Sequence, residues 1–272
     1  MGKNKLRKFA EMERLDRVYQ YPFGVLQQGP CPLKGRWGRD VFGNERPIVL
    51  ELGCGKGEYT VGLARQDAER NFIGIDIKGA RMYSGAKEAD ELGLANAAFL
   101  RTSIELLPEF FEPGEVSELW ITFPDPQMKK ATKRLTGTRF LDMYRRCLKD
   151  GGLVRLKTDS PFLYTYTREM LKASGIEPEA DTPDLYGIEG KTLTPDDLER
   201  LEPVLPIPNM RTHYERQWLG RGLTIKYISF PLRASDTLVE PDVEIEPDTY
   251  RSYSRRSADP KAVTGEGSKF EI

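Results

Sequence analysis

The sequence predicts an α/β fold with a doubly wound, mostly parallel sheet. Short apolar runs alternate with amphipathic helical stretches from residue 47 onward, the pattern of strands joined by crossover helices. A glycine-rich turn, Gly53 to Gly57, sits where the first of these runs gives way to a helix. The chain of 272 residues is long enough to bury a core of about 150 to 200 residues beside its appendages.

Pro47–Leu52, Asn71–Ile77, Ala97–Thr102, Ser117–Phe123 and Leu153–Thr158 read as strands. Between them, Gly57–Arg70, Lys78–Leu92 and Thr138–Lys149 carry apolar residues at helical spacing. In the last, Phe140, Tyr144, Cys147 and Leu148 share one face. The helix after Asp159 is signposted at both ends, by Ser160 as N-cap, Pro161 at its first position and Gly175 just past its last. Beyond Gly175 a proline-rich stretch to Asn209 reads as a loop-rich insertion, with one short helix opened by Thr194 and Pro195. Leu223–Phe230 alternates as a late strand.

These boundaries divide the chain into an N-terminal arm (1–45), a main domain (46–232) and an acidic tail (233–272). The tail holds six acids and no base between Asp236 and Asp248 and lacks periodicity, so it is expected to be disordered. The arm opens with Lys3, Lys5, Arg7 and Lys8, which suit either a solvated terminus or a phosphate backbone.

Globally, 41 Lys and Arg balance 42 Asp and Glu, so affinity for a polyanion must come from a local patch. No apolar run approaches the roughly 18 residues that span a bilayer, and the start lacks the apolar core of a secretion signal, so a soluble, cytoplasmic protein without membrane partners is expected. The three cysteines, at 31, 54 and 147, and the single His213 argue against a disulfide framework or a zinc site.

The stretch Ile48-Val-Leu-Glu-Leu-Gly-Cys-Gly-Lys-Gly57 lets a ligand approach bare backbone at Gly53 and Gly55. A dinucleotide fingerprint needs glycine at position 58, where Glu58 stands. Glu51 and Glu58 repel a pyrophosphate and suit a cationic ligand instead, such as S-adenosylmethionine with its ammonium and sulfonium. Glu58 also reads as a first-turn acid favouring the helix N-terminus. At the end of the next strand, Asp76 is placed to accept hydrogen bonds from two ribose hydroxyls. Cys54 reads as a small filler, since no base accompanies it.

In Leu119-Trp-Ile-Thr-Phe-Pro-Asp-Pro126, Asp125 is clamped between two prolines at a strand end. Ligands of open parallel sheets sit beyond the carboxyl ends of the strands, where Glu51, Asp76, Asp125 and Lys157-Thr-Asp159 are expected to converge. Asp125 is the candidate catalytic acid, and an N-cap role with Pro126 opening a helix is compatible with that. From 127 to 149, eight bases face the single acid Asp142, and because this run begins beside the expected site, Lys130, Lys133 and Arg134 are assigned to a phosphate-binding rim. Thr212-His-Tyr-Glu215 reads from its spacing as a capping box.

Together, Glu51-Leu-Gly-Cys-Gly, Gly74-Ile-Asp76, Phe123-Pro-Asp-Pro126 with Lys129, Lys157-Thr-Asp159 and Thr212-His-Tyr-Glu215 resemble the bacterial tRNA (guanine-N7-)-methyltransferase family over about residues 46 to 232. The resemblance implies the Rossmann-like, seven-stranded sheet of class I S-adenosylmethionine-dependent methyltransferases and modification of guanosine 46 in the tRNA variable loop, with no metal. It implies that Glu51, Asp76, Thr102 and Asp125 line the cofactor site beside Gly53 and Gly55. It also places Lys129, Asp159, Thr212, His213, Tyr214 and Glu215 near the nucleotide. The chain departs from the family at Gln127, where a Trp is usual, at Ala131 and Thr132, where an Arg-His pair is usual, and at Thr102, commonly Asp or Asn. Rival readings are a class I methyltransferase acting on another nucleotide or a small molecule, and a non-catalytic tRNA-binding partner subunit. The second would be expected to have lost Glu51, Asp76 or Asp125, and all three are present.

Overall fold

The computed structural model describes residues 10–21, 31–187 and 211–250, together with Lys8, Leu26 and Gly29. Its strands are β1 (Val18–Gln20), β2 (Ile48–Leu52), β3 (Asn71–Ile75), β4 (Ala97–Arg101), β5 (Val116–Thr122), β6 (Leu148–Thr158), β7 (Ala180–Thr182) and β8 (Lys226–Leu232). They form one eight-stranded sheet in the order β1-β4-β3-β2-β5-β6-β8-β7. Every pairing from β1 to β6 is parallel, while β8 runs antiparallel to both β6 and β7. The helices are α1 (Glu58–Gln66), α2 (Gly79–Glu91), α3 (Leu107–Phe110), α4 (Thr138–Tyr144), α5 (Pro161–Ser174) and α6 (His213–Leu219).

β2 and β3 are buried along their whole length, as strands covered on both faces must be. Alternate residues feed opposite cores. Ile48, Leu50 and Leu52 pack with α3, α4 and α5 on one face, whereas Val49 packs with α1 and α2 on the other. The order reverses between β2 and β5, where β2 is flanked by β3 on one side and β5 on the other, so the crevice for a ligand opens at their carboxyl ends.

Seven strands were expected and eight are present among the described residues. The additional edge strand, β1, is three residues long and pairs with β4, too short for alternation to reveal. The helix expected over 138–149 stops at Tyr144. The N–H groups of Arg146 and Cys147 bond to carbonyls three residues back, tightening the chain, and Leu148 enters β6 opposite Val116. α1 ends at Gln66 rather than Arg70, because the Asp67 carboxylate accepts from Glu69 N (2.9 Å) and Arg70 Nε (2.7 Å) and turns the chain. α5 has the expected ends: Ser160 Oγ accepts from Leu163 N at 2.9 Å, and Gly175 closes it at φ +65°. The insertion after α5 contributes β7, which its composition concealed. The helix expected at Thr194 and Pro195, the arm residues Lys3, Lys5 and Arg7, and residues 251–272 lie outside the described residues.

Residues 233–249 carry neither helix nor strand, as their lack of periodicity implies, but they are not loose. Glu240 accepts from Thr138 Oγ1 (2.6 Å) and Tyr166 Oη (2.8 Å), and Arg145 donates to the carbonyls of Ala234 and Asp236. Asp248 is buried and accepts from Ser160 Oγ (2.5 Å) and Phe162 N (3.0 Å), so it caps α5 alongside Ser160. The expectation of disorder fails here because polar anchors, invisible to hydropathy, tie the strap down. Among the described residues no helix is long and apolar enough to cross a membrane.

Ser160→Ala removes an N-cap and the hydroxyl partner of a buried carboxylate, and should cost about 2 kcal/mol. Urea unfolding measures it as a lower midpoint at unchanged slope. An unmoved midpoint would mean that Asp248 alone caps the helix.

Candidate active site at the carboxyl ends of the strands

The turn after β2 is pinned to the end of β3, where Gly53 N and Cys54 N donate to Ile75 O at 2.8 and 2.9 Å. Gly53 and Gly55 hold φ of +74° and +56°, and a Cβ on either would meet nothing closer than 3.9 Å, so bare backbone faces open space. Gly57 serves packing instead: a Cβ there would lie 2.6 Å from Phe99 Cε1. Asp76 takes one bond from each flank, Gly55 N (2.9 Å) to Oδ2 and Lys78 N (2.7 Å) to Oδ1. Cys54 is buried and its thiol is pushed well up by burial, consistent with a filler.

Glu51 lies beneath this turn, 4% exposed. Its Oε2 accepts from Thr60 N (2.8 Å) and Thr60 Oγ1 (2.6 Å), and its Oε1 accepts from Thr122 Oγ1 (2.8 Å). Burial raises its pKa to about 7, against the pull of those donors and with the nearby Asp76 charge adding to the rise. The carboxylate therefore joins the start of α1 to the end of β5.

A groove opens between these strand ends, lined by Gly53, Asp76, Ile77, Thr102, Gln127 and Lys133 among others. Four of the expected cofactor-side positions thus share one locality: Gly53, Asp76 and Thr102 line the groove and Gly55 bonds Asp76. Ile77 leaves 61% of its surface exposed beside the Asp76 carboxylate, an apolar patch next to a polar one. Bare glycine backbone, a carboxylate and an apolar cover are the donor set that a nucleoside with a cationic tail requires.

Asp125 stands exposed in the next loop, with Oδ1 accepting from Gln127 N at 3.1 Å. No helix begins at Pro126, so the N-cap alternative gives way to a local Asx turn. Phe123 and Gln127 on either side adopt positive φ, +49° and +48°, which is unfavourable for residues with side chains and costs of order 1–3 kcal/mol each. Strain on both flanks of one acid marks a loop held for its geometry.

Lys129, Lys130 and Lys133 are exposed, and Lys133 lies 3.6 Å from Glu105 in a surface ion pair. Arg134 departs from the expected rim. Its guanidinium turns inward, donating to Gln127 O (3.3 Å) and Met128 O (3.0 Å) and lying over the Phe162 and Tyr166 rings. It braces the Asp125 loop against α5 because the aromatic faces and carbonyls offer a better-matched partner than water.

The Thr212–Glu215 element is a complete capping box, with Thr212 Oγ1 accepting from Glu215 N (3.3 Å) and Glu215 Oε2 from Thr212 N (3.1 Å). The other oxygen, Oε1, meets Lys157 Nζ at 2.5 Å and accepts from Tyr186 Oη, and both charged side chains are fully buried. Lys157 also donates to Tyr59 Oη (2.8 Å) and Tyr186 Oη (3.0 Å). Burial lowers the Lys157 pKa, and the Glu215 carboxylate opposes the fall. Glu215, expected as a nucleotide ligand, is thus the counter-ion of Lys157. Asp159 is fully buried at the β6–α5 junction, its Oδ2 accepting from Tyr250 Oη at 2.5 Å. His213 and Tyr214 belong to the first turn of α6, and their side chains lie outside the described set.

Residues 45–226 match the family described as "Putative methyltransferase". A tRNA (guanine-N(7)-)-methyltransferase of Porphyromonas gingivalis is 58% identical over 250 residues, covering 90% of this chain and 96% of the relative. One from Bacteroides thetaiotaomicron is 53% identical over 255 residues, covering 94% and 96%. The chain belongs to the tRNA (guanine-N(7)-)-methyltransferase family. Its sheet is the Rossmann-like sheet of class I methyltransferases with one added edge strand, and its methyl donor is S-adenosylmethionine, which the groove suits by chemistry. More distant members include one from Cytophaga hutchinsonii, 39% identical over 232 residues, covering 85% of this chain and 98% of that relative.

Sequence reasoning missed the residues that hold these side chains: Thr60 and Thr122 on Glu51, Tyr59 and Tyr186 on Lys157, and Asp248 and Tyr250 from the C-terminal strap. Tyr59, Thr60 and Thr122 carried a signal, since they sit in the first turn of the helix after the glycine turn and at the end of a strand already expected at the site. Tyr186, Asp248 and Tyr250 come from segments that no periodicity links to it.

Glu215→Gln keeps the capping-box acceptor but leaves Lys157 buried without a counter-charge, and should cost roughly 3–5 kcal/mol in urea unfolding. Adding Lys157→Met should recover much of that loss. A single variant as stable as the wild type would show that the pair is not a brace.

Proposed function

We propose that the protein transfers a methyl group from S-adenosylmethionine to N7 of guanosine 46 in the variable loop of tRNA, by in-line displacement and without a metal ion. The observation that carries this reading is Asp125, exposed on a strained Pro-Asp-Pro loop next to the groove of bare glycine backbone and Asp76, in a chain whose relatives are named tRNA (guanine-N(7)-)-methyltransferases. On this reading tRNA is the macromolecular partner and the cytoplasm the working compartment.

S-adenosylmethionine supplies the activated methyl. Gly53, Gly55, Asp76 and Thr102 hold it, with Glu51 fixing the turn from below. Guanine N7 carries a lone pair and no proton, so its attack needs no general base, and the lone histidine of the chain is no obstacle. The residues chiefly have to align the reacting atoms, a contribution that reaches ~7–11 kcal/mol in well-oriented systems. As N7 becomes alkylated the guanine gains positive charge, and the Asp125 carboxylate stabilises that charge where it develops. Lys129, Lys130 and Lys133 present positive charge to RNA phosphates. Asp159 and Thr212–Glu215 frame the nucleotide side from within the fold.

The test incubates the protein with methyl-labelled S-adenosylmethionine and a tRNA transcript, in parallel with the same transcript carrying adenosine at position 46, followed by nucleoside analysis. Labelled 7-methylguanosine should appear in the first transcript only, and a folded Asp125→Ala variant should nearly abolish it. Label at another nucleoside, or equal label in both transcripts, would overturn the assigned position. Full activity of Asp125→Ala would overturn the assigned acid.

A further inference from the structure

The last described residues of the C-terminal strap, Asp248 to Tyr250, lie against the Asp125 loop, the end of β6 and α6. Asp248 is buried, accepts two hydrogen bonds from the start of α5, and donates its own N–H to Met128 Sδ at 3.1 Å, three residues beyond Asp125. Two residues later, Tyr250 donates its hydroxyl to Asp159 Oδ2, and its ring meets Trp218 of α6 edge to face, with centroids 5.6 Å apart at 79°. Trp218 is in turn covered by the Arg221 guanidinium, 5.0 Å from its ring centroid.

Asp159 itself has no exposed surface, so in this arrangement it does not reach a nucleotide directly. Tyr250 does keep surface, being half-buried, and it bridges the end of β6 and α6, two residues past the Asp248 N–H that bonds the Asp125 loop at Met128. A buried carboxylate gripping a phenol by its hydroxyl fixes the ring plane, and the Trp218 contact fixes its rotation.

We infer that Tyr250 is a base-contacting residue: its ring, oriented by Asp159 and Trp218, forms an aromatic wall against which the target purine of the RNA stacks. This rests on the proposed tRNA reading and adds a residue to it. Stacking on an aromatic side chain is sequence-tolerant, since every base has a π-face. Choice of guanine would then remain with the polar groups around Asp125, and the wall would supply affinity and hold the base plane.

Steady-state kinetics on the full-length chain with a tRNA transcript test this, beside S-adenosylmethionine binding by calorimetry as a control for the fold. Tyr250→Ala should raise KM for tRNA about 10-fold or more, within the range of base–aromatic stacking, and leave cofactor affinity unchanged. Tyr250→Phe keeps the ring and should restore KM to within about 3-fold of the wild type. An unchanged or lower KM in Tyr250→Ala would overturn the inference, the lower value marking a placeholder that the nucleotide displaces. A Phe variant as impaired as Ala would also overturn it, by assigning the effect to the hydroxyl. Failure of the wild type to methylate tRNA at all would strike the underlying reading instead, which separates the two.

Discussion

The site depends on one buried carboxylate. Glu51 accepts three hydrogen bonds, two from Thr60 and one from Thr122, and so ties the first turn of α1 to the last residue of β5 across the point where the strand order reverses. Two things follow from that position. The glycine turn above it keeps its backbone open toward the groove, and the strained loop carrying Asp125 starts from a fixed strand end. Burial raises the pKa of Glu51 to about 7, a measure of how far the fold departs from what an isolated carboxylate prefers. The hydrogen bonds limit that departure, which is why a charged residue is tolerated in a strand buried throughout its length.

A second brace ties β6 to α6. Lys157 and Glu215 pair in the interior, with Tyr59 and Tyr186 on the ammonium, and join β6, α1, the loop after β7 and α6. Such a pair adds little net stability over a well-packed apolar alternative, but its directionality fixes α6 in one register against the sheet. The strap from Arg233 to Tyr250 adds a third tie, through Asp248 on α5 and Tyr250 on Asp159. The glycine turn and the junction of β6, α5 and α6 are therefore each held by buried polar contacts, while Asp125 and Lys129 stand exposed.

The sheet was legible because β2 and β5 are apolar runs flanked by glycine or proline, and α5 because Ser160, Pro161 and Gly175 mark its ends. Gly53, Gly55 and Asp76 were legible because backbone conformation and strand-end position follow from local sequence. The capping box at Thr212 and Glu215 was also legible from spacing, whereas the pairing of Glu215 with Lys157, 58 residues upstream in the numbering, is a property of topology. Helix ends without glycine or proline, as at Tyr144, were misread because the apolar face of α4 runs on in phase through Cys147 and Leu148. The strap escaped notice for a related reason. Acids spaced without period read as disorder until their partners, Ser160 and Phe162 for Asp248 and Thr138 and Tyr166 for Glu240, are brought beside them.

The central claim is that the groove at the ends of β2 and β3 holds S-adenosylmethionine, with Asp76 bonding its ribose. Calorimetric titration of S-adenosylmethionine into the wild type and Asp76→Ala tests it most directly. Loss of a charge-assisted contact of ~1.5–3 kcal/mol should weaken binding roughly 10- to 150-fold in a variant that remains folded. An unchanged dissociation constant would place the cofactor elsewhere and contradict the account.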